Sequence, residues 1–287
     1  MNGLARRPHR PRKRFGQHFL QAPWAARVVA AVDPAPGDVF LEIGPGAGAL
    51  TIPLSKWGAP ILAVEIDRDL AADLAARVPA NVTLVTGDVL ETDVVPYLTG
   101  LEPQRPAGVQ GPASARRFRV VGNLPYNLST PILFRLIDLQ QQHGMFADAT
   151  IMVQREVADR LVAKPGTKAY GVLTILLRLH ASVSRVLDLP PGAFRPPPKV
   201  RSAVVRVQFR PSEVRVADPA LFEVVVKQIF QQRRKTLANG LKGLVTNPAS
   251  VLAEAAIDPM RRPETLDLAE LATLADRVAA SRRPPVL

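Results

Sequence analysis

The chemistry in this chain is densest at Asn123-Leu124-Pro125-Tyr126. Asn123 carries a side-chain carbonyl, and Leu124 offers a backbone carbonyl that the following proline holds extended. An adenine exocyclic amine is a poor nucleophile because its lone pair is delocalised into the ring. Two acceptors on one side pull it toward tetrahedral geometry. Tyr126 adds a flat face for an unstacked base, a contact worth about 1–3 kcal/mol. Upstream, Gly44-x-Gly46-x-Gly48 lets backbone amides approach a ligand without a Cβ in the way. Glu65, 21 residues after Gly44, can accept two hydrogen bonds from a ribose diol. Asp88, after Gly87, can accept one from an adenine amino group. Turn and acid fit an adenosine-containing cofactor. Gly44-x-Gly46-x-x-Ala49 also fits a dinucleotide fingerprint, so the turn alone leaves a nicotinamide cofactor and S-adenosylmethionine both open.

These residues need a scaffold that brings strand ends together. Apolar runs at 39–43, 60–65, 82–85, 119–122 and 150–153 read as strands, with helices from about 49, over 67–78 and 130–142, and near 156–162. The alternation predicts βαβ units in a parallel sheet, with the motifs at the carboxyl ends of its strands. Further strands are expected at 172–178, 182–187 and 203–209, and an exposed loop at 96–117, which is rich in Pro and Gly. Asp218-Pro219 and Asn247-Pro248 each read as an N-cap followed by proline at the first helical position. The expected fold is therefore α/β with a small C-terminal helical domain. It divides into a basic tail at 1–14, a catalytic domain at 15–210 and a helical domain at 211–287.

The chain has 287 residues, 47% of them apolar, enough to bury a sizeable core. It lacks cysteine, which excludes disulfides and thiolate chemistry, and its four histidines show no metal-ligand spacing. A metal-free mechanism is expected. No stretch approaches the roughly 18 uncharged apolar residues of a membrane span, so a cytoplasmic protein without membrane contact is expected. The formal charge is +12, and it is concentrated. Residues 1–14 hold six basic residues and no acid, and 195–242 hold eleven against three acids. A concentrated surplus suits a polyanion, because each neutralised phosphate releases counterions. Arg195, Lys199, Arg201, Arg233, Arg234 and Lys235 are the residues expected to grip it.

Eight stretches in order resemble the ribosomal RNA small-subunit adenine dimethyltransferases. They are 13–20, 42–46, 65–67, 87–88, 123–126, Lys168-Ala169-Tyr170-Gly171, 194–200 and 232–236. The resemblance implies a Rossmann-like class I methyltransferase that uses S-adenosylmethionine to dimethylate two adjacent adenosines of 16S rRNA. It implies that His18 and Leu20 close over the cofactor's methionine end, with Gly44 and Gly46 against it. Glu65 would hold the ribose and Asp88 the adenine, while Asn123 spans cofactor and target amine. Tyr126 and Phe194 would sandwich the target adenine, although the residues alone read Phe194 as core. The family commonly has Asn at the position of His18. A monomer acting on a small ribosomal subunit or its precursor is expected. The competing readings are an antibiotic-resistance type enzyme acting on large-subunit rRNA and a non-enzymatic RNA-binding assembly factor.

Overall fold

The structure is a computed structural model that describes residues 17–101 and 118–282. The basic tail at 1–14, the start of the 13–20 motif and most of the 96–117 segment lie outside the described residues. In chain order the elements are β1 (Phe19–Leu20), α1 (Ala22–Val32), β2 (Phe40–Ile43), α2 (Thr51–Ser55), β3 (Ile61–Glu65), α3 (Arg68–Ala75) and β4 (Val82–Thr86). Then come α4 (Val95–Gly100), β5 (Phe118–Asn123), α5 (Ser129–His143), β6 (Phe146–Gln154), α6 (Arg155–Leu161) and α7 (Val172–Arg178). The chain continues through β7 (Ala181–Leu189), β8 (Phe194–Arg195) and β9 (Ser202–Phe209). It closes with α8 (Pro219–Gln231), α9 (Leu237–Gly240), α10 (Pro248–Glu254) and α11 (Leu268–Arg282).

Seven strands form one sheet in the order β4-β3-β2-β5-β6-β9-β7. The five from β4 to β6 are parallel and β9 runs antiparallel to β6. Strands β2 and β3 are buried along their whole length, as a sheet covered on both faces requires. On α1, Ala25, Val28, Val29 and Val32 recur at helical spacing and are buried. They join Phe40, Leu54, Met152 and Val204 in one apolar cluster.

The described residues fall into two compact units. One comprises those up to Ala158 together with Val183–Phe209; the other comprises Asp159–Ser182 and those from Arg210 onward. The division differs from the expected 15–210 and 211–287 in that Asp159–Ser182 falls in the second unit, and within it 172–178 is a helix where a strand was expected. A short apolar run does not distinguish a buried strand from a buried helix by periodicity. Here Thr174 Oγ1 accepts from the Gly171 amide and donates to Arg160 O, fastening a helical turn whose apolar side belongs with α8. The expected loop at 96–117 likewise begins as helix α4, with Pro96 in its first turn. In the second unit the two expected caps form: Asp218 accepts from Leu221 N and Asn247 from Ser250 N. On α8, Phe222, Val225, Val226 and Ile229 are all fully buried.

One residue ties three parts of the first unit together. Arg119, on β5, makes a bidentate pair with Asp148 on β6 at 2.9 and 2.8 Å. It also donates to Asp38 at 2.8 Å and to the carbonyls of Val32 and Asp33 at the end of α1. All five guanidinium N–H groups have partners. Removing one member of such a cluster strands the remaining charges, so Arg119→Ala should destabilise the protein by about 3–5 kcal/mol. Urea unfolding should show this as a lower midpoint.

Candidate active site

The register of the parallel sheet assembles the site. Ile43 pairs with Val64 on one side and with Gly122 on the other. The next residues, Gly44, Glu65 and Asn123, therefore leave three adjacent strands at one level. This is the carboxyl edge of the sheet, where the strand order reverses and ligands of α/β proteins bind. Gly44 and Gly46 both hold positive φ, at 67° and 55°, a conformation in which a side chain is strained. A cavity at this edge is lined by Gln17, His18, Leu20, Glu42, Gly44, Gly46, Glu65, Asn123, Leu124, Pro125 and Tyr126, among others.

Two buried carboxyls dominate its electrostatics. Glu65 is 4% exposed and accepts from Gly46 N at 2.8 Å and from Asp67 N at 2.9 Å. Burial raises its pKa, opposed by those two amides. Glu42 is 1% exposed, and its Oε2 has no hydrogen-bond partner. Burial pushes its pKa up to about 7; Thr51 opposes this in part, and Glu65 adds to it. Glu42 stands within the 42–46 motif, but its burial is invisible in the sequence, so the motif alone gives it no role. A site lined by two carboxyls suits a ligand carrying positive charge, such as a sulfonium and an ammonium. It opposes a pyrophosphate, and the Gly46 amide a pyrophosphate would need already faces Glu65. The dinucleotide alternative is thereby disfavoured.

The segment at 17–20 bridges the two sides of this edge. Gln17 Nε2 donates to Asp67 Oδ2 at 3.0 Å, and Asn123 Nδ2 donates to His18 O at 2.8 Å. The second bond commits the amide nitrogen of Asn123 to the segment and orients its carbonyl oxygen as the acceptor end. Tyr126 is pinned by a 2.6 Å hydrogen bond between its hydroxyl and Ser202 Oγ, and burial raises its pKa.

Three expected residues stand elsewhere. Phe194 is 1% exposed and packs in the apolar cluster, outside the cavity lining. Its pairing with Leu20 turns it inward while its strand neighbour Arg195 is exposed, in keeping with strand alternation. The ring stacked against Tyr126 is His18, with centroids 5.6 Å apart and planes inclined by 26°. Asp88 lies one strand beyond Glu65, also outside the lining. There its Oδ1 accepts from Leu90 N and its carbonyl from Thr92, so it builds a turn. Arg233 donates to the carbonyls of Lys168 and Thr167 and lies 3.8 Å from Glu264. It is half-buried and braces the second unit, whereas Arg195, Lys199, Arg201, Arg234 and Lys235 are exposed.

The chain matches the family described as Ribosomal RNA adenine dimethylase over residues 8–279. It belongs to that family. A Ribosomal RNA small subunit methyltransferase A from Acinetobacter baylyi is 42% identical over 274 residues, covering 94% of this chain and 93% of that protein. The fold is shared with a dimethyladenosine transferase from Plasmodium falciparum, with a TM-score of 0.69 at 24% identity, covering 90% of this chain and 96% of that one. It is shared too with the 23S rRNA methyltransferase ErmE, with a TM-score of 0.62 at 22% identity over 91% and 99% of the two chains. These likenesses make the sheet that of a class I methyltransferase.

The raised pKa of Glu42 has a consequence for stability. A carboxyl that keeps its proton to about pH 7 when folded, but loses it near 4.5 when unfolded, favours the folded state in full below pH 4.5. That contribution is lost as pH rises through about 7, to a limit of about 3 kcal/mol. Glu42→Gln should therefore match the parent below pH 4.5 and exceed its stability by up to that amount at pH 8. Urea unfolding of the cofactor-free protein across this range reads the difference.

Proposed function

We propose that the protein transfers methyl groups from S-adenosylmethionine to the N6 amines of two adjacent adenosines near the 3′ end of 16S rRNA, giving N6,N6-dimethyladenosine. The observation that carries this reading is the register that sets Asn123, Leu124 and Tyr126 beside Gly44 and Glu65, in a chain of the adenine dimethylase family. The cofactor supplies an activated methyl group on a sulfonium. Gly44, Gly46, Leu20 and the buried acids Glu42 and Glu65 would hold it, and the unpartnered Oε2 of Glu42 meets the need for a group that answers positive charge.

The remaining work falls to the chain's own residues. Asn123 Oδ1 and the Leu124 carbonyl accept the two hydrogens of the target amine, which draws its lone pair out of conjugation. Pro125 keeps the Leu124 carbonyl extended, and the Leu124 amide is anchored on Met152 O of β6 at 3.1 Å. Tyr126, fixed by Ser202, receives the face of the base. A target inside a stacked helix is out of reach, so the adenosine must be turned out first. Both acceptors are neutral, so a monomethylated amine with one hydrogen left can be held again for a second transfer. Among the described residues no group of three or more His, Asp or Glu could hold a metal, and no helix is long and apolar enough to cross a membrane. The proposed setting is a cytoplasmic monomer that acts without metal on a small ribosomal subunit or its precursor.

The direct test is incubation with small subunits lacking the modification, in parallel with large subunits. Dimethyladenosine blocks reverse transcriptase, so primer extension should stop at two adjacent adenosines in small-subunit RNA alone. Asn123→Ala should reduce transfer by at least a hundred-fold while weakening cofactor affinity less than Glu65→Ala does, as read by calorimetric titration.

Exposed Arg234 and Lys235 are proposed to contact phosphate, together with Arg195, Lys199 and Arg201. Reversing both charges, Arg234→Glu with Lys235→Glu, should weaken RNA binding and flatten its salt dependence by up to about two in log–log slope. Cofactor affinity should not change. Arg233→Glu should instead lower the stability of the second unit, because its partners are carbonyls and Glu264.

A further inference from the structure

Two buried side chains at the carboxyl end of β2 carry polar atoms with nothing to bond. Glu42 and Thr51 are 1% and 0% exposed, and both Glu42 Oε2 and Thr51 Oγ1 lack a hydrogen-bond partner. Glu42 lines the cavity, so its carboxyl is shut off from bulk solvent but faces the space a ligand takes. The other buried acid of the lining stands differently. Glu65 accepts from the amides of Gly46 and Asp67, so two fixed dipoles already answer its charge. A buried carboxyl without such donors is less unfavourable with its proton on. Burial accordingly pushes the Glu42 pKa up to about 7. The titratable groups around it do not reverse this. On the β3 side stands Glu65, with Asp67 behind it accepting from Gln17 at 3.0 Å. On the 17–20 segment stands His18, whose Nδ1 lies 2.7 Å from Pro196 O. After β5 stands Tyr126, whose hydroxyl burial holds neutral. The glycine turn and α2 bring no charged side chain, and no lysine or arginine is among the described lining residues.

We propose that Glu42 links cofactor binding to proton release: its carboxyl keeps a proton in the free protein and gives it up to solvent when the positive charge of S-adenosylmethionine arrives. Only the O–H bond of the carboxyl breaks; the proton goes to the buffer, and the carboxylate left behind answers the cation. The charges balance, because ammonium, carboxylate and sulfonium give the cofactor a net charge of one, and the ionised Glu42 supplies the matching anion. The sign of the pH dependence follows. The bound state holds fewer protons than the free one, so affinity rises with pH and levels off above about 7. The positive charge has two sources, the ammonium and the sulfonium. Only the ammonium remains in S-adenosylhomocysteine, so a carboxylate that answers the sulfonium regains its proton after transfer and loosens the product.

This inference rests on the reading of this cavity as the S-adenosylmethionine site, and the experiment separates the two. Wild type, Glu42→Gln and His18→Gln are titrated calorimetrically with S-adenosylmethionine at pH 6, 7 and 8, each in two buffers of different ionisation enthalpy. The dependence of the heat on the buffer counts the protons released. Wild type should release about 0.9, 0.5 and 0.1 proton at the three pH values, and bind about ten-fold more weakly at pH 6 than at pH 8. Glu42→Gln keeps the shape of the side chain but cannot ionise. It should release none at pH 6 and 7, with affinities at those two values within about two-fold of each other, whatever their absolute size. His18→Gln should release what wild type releases. Infrared difference spectra give a reading that needs no binding by the variant. The protonated-carboxyl band present in free wild type at pH 6 and absent from Glu42→Gln should vanish when the cofactor is added to wild type. S-adenosylhomocysteine, titrated in parallel, assigns the charge: equal release points to the ammonium, and no release to the sulfonium.

Binding of S-adenosylmethionine to wild type without proton release at pH 6 overturns the proposal and leaves the cofactor reading standing. Release that persists in Glu42→Gln, or that is lost in His18→Gln alone, overturns it as well, because another group would then be the source. A wild-type protein that shows neither heat nor protection against urea unfolding with S-adenosylmethionine overturns the cofactor reading, and this inference with it.

Discussion

The site depends on one constraint, the register between β2 and its two neighbours. Ile43 is matched to Val64 and Gly122, and so the three residues that follow those positions share an edge. The spacing is tight. A Cβ on Gly122 would stand 2.7 Å from the Ile43 carbonyl oxygen, closer than real contacts allow, so β5 approaches β2 there only because position 122 has no side chain. A shift of one residue in this pairing would turn every buried side chain of β5 to the opposite face. It would also carry Asn123 away from Gly44. The Arg119 cluster, at the other end of β5, holds the same strand against β6 and the end of α1. The strand that ends in Asn123 is thus fixed at both ends.

Around that edge the protein keeps two carboxyl groups where burial opposes their ionisation. Glu42 and Glu65 are nearly inaccessible, and burial raises the pKa of each. An unpartnered buried carboxyl is unfavourable for folding. Its persistence beside a glycine turn follows if the site is completed by a cation. The same burial separates two kinds of nucleotide cofactor that share a glycine pattern, because one brings positive charge to the turn and the other a pyrophosphate.

Much of this was legible in the sequence for local reasons. The strand, turn and acid pattern from Val39 to Asp88 follows from runs of apolar residues broken by glycine, and the Asp218 and Asn247 caps follow from side-chain hydrogen bonding within one turn. Asn123-Leu124-Pro125-Tyr126 announced acceptors and a stacking face without reference to anything distant. Other features were not legible. The apolar run at 172–178 suits a strand or a helix equally, and only Thr174 bonding to Arg160, together with the face offered by α8, selects the helix. Arg233 has the composition of a phosphate contact but is occupied by the carbonyls of Thr167 and Lys168. Phe194 has the chemistry of a stacking wall but is turned inward by its pairing with Leu20.

The sequence by itself determined most of the elements, a glycine turn and acid suited to an adenosine-containing ligand, and the presence of neighbouring hydrogen-bond acceptors at 123–124, because each of these depends on neighbours within a few residues. The tertiary structure decided which aromatic ring meets Tyr126, which basic residues remain in solvent, and that Glu42 is left without a partner. Those outcomes depend on contacts between residues as far apart as His18 and Pro196. Burial and pairing at such separations are properties of the folded arrangement, and no local pattern in the chain encodes them.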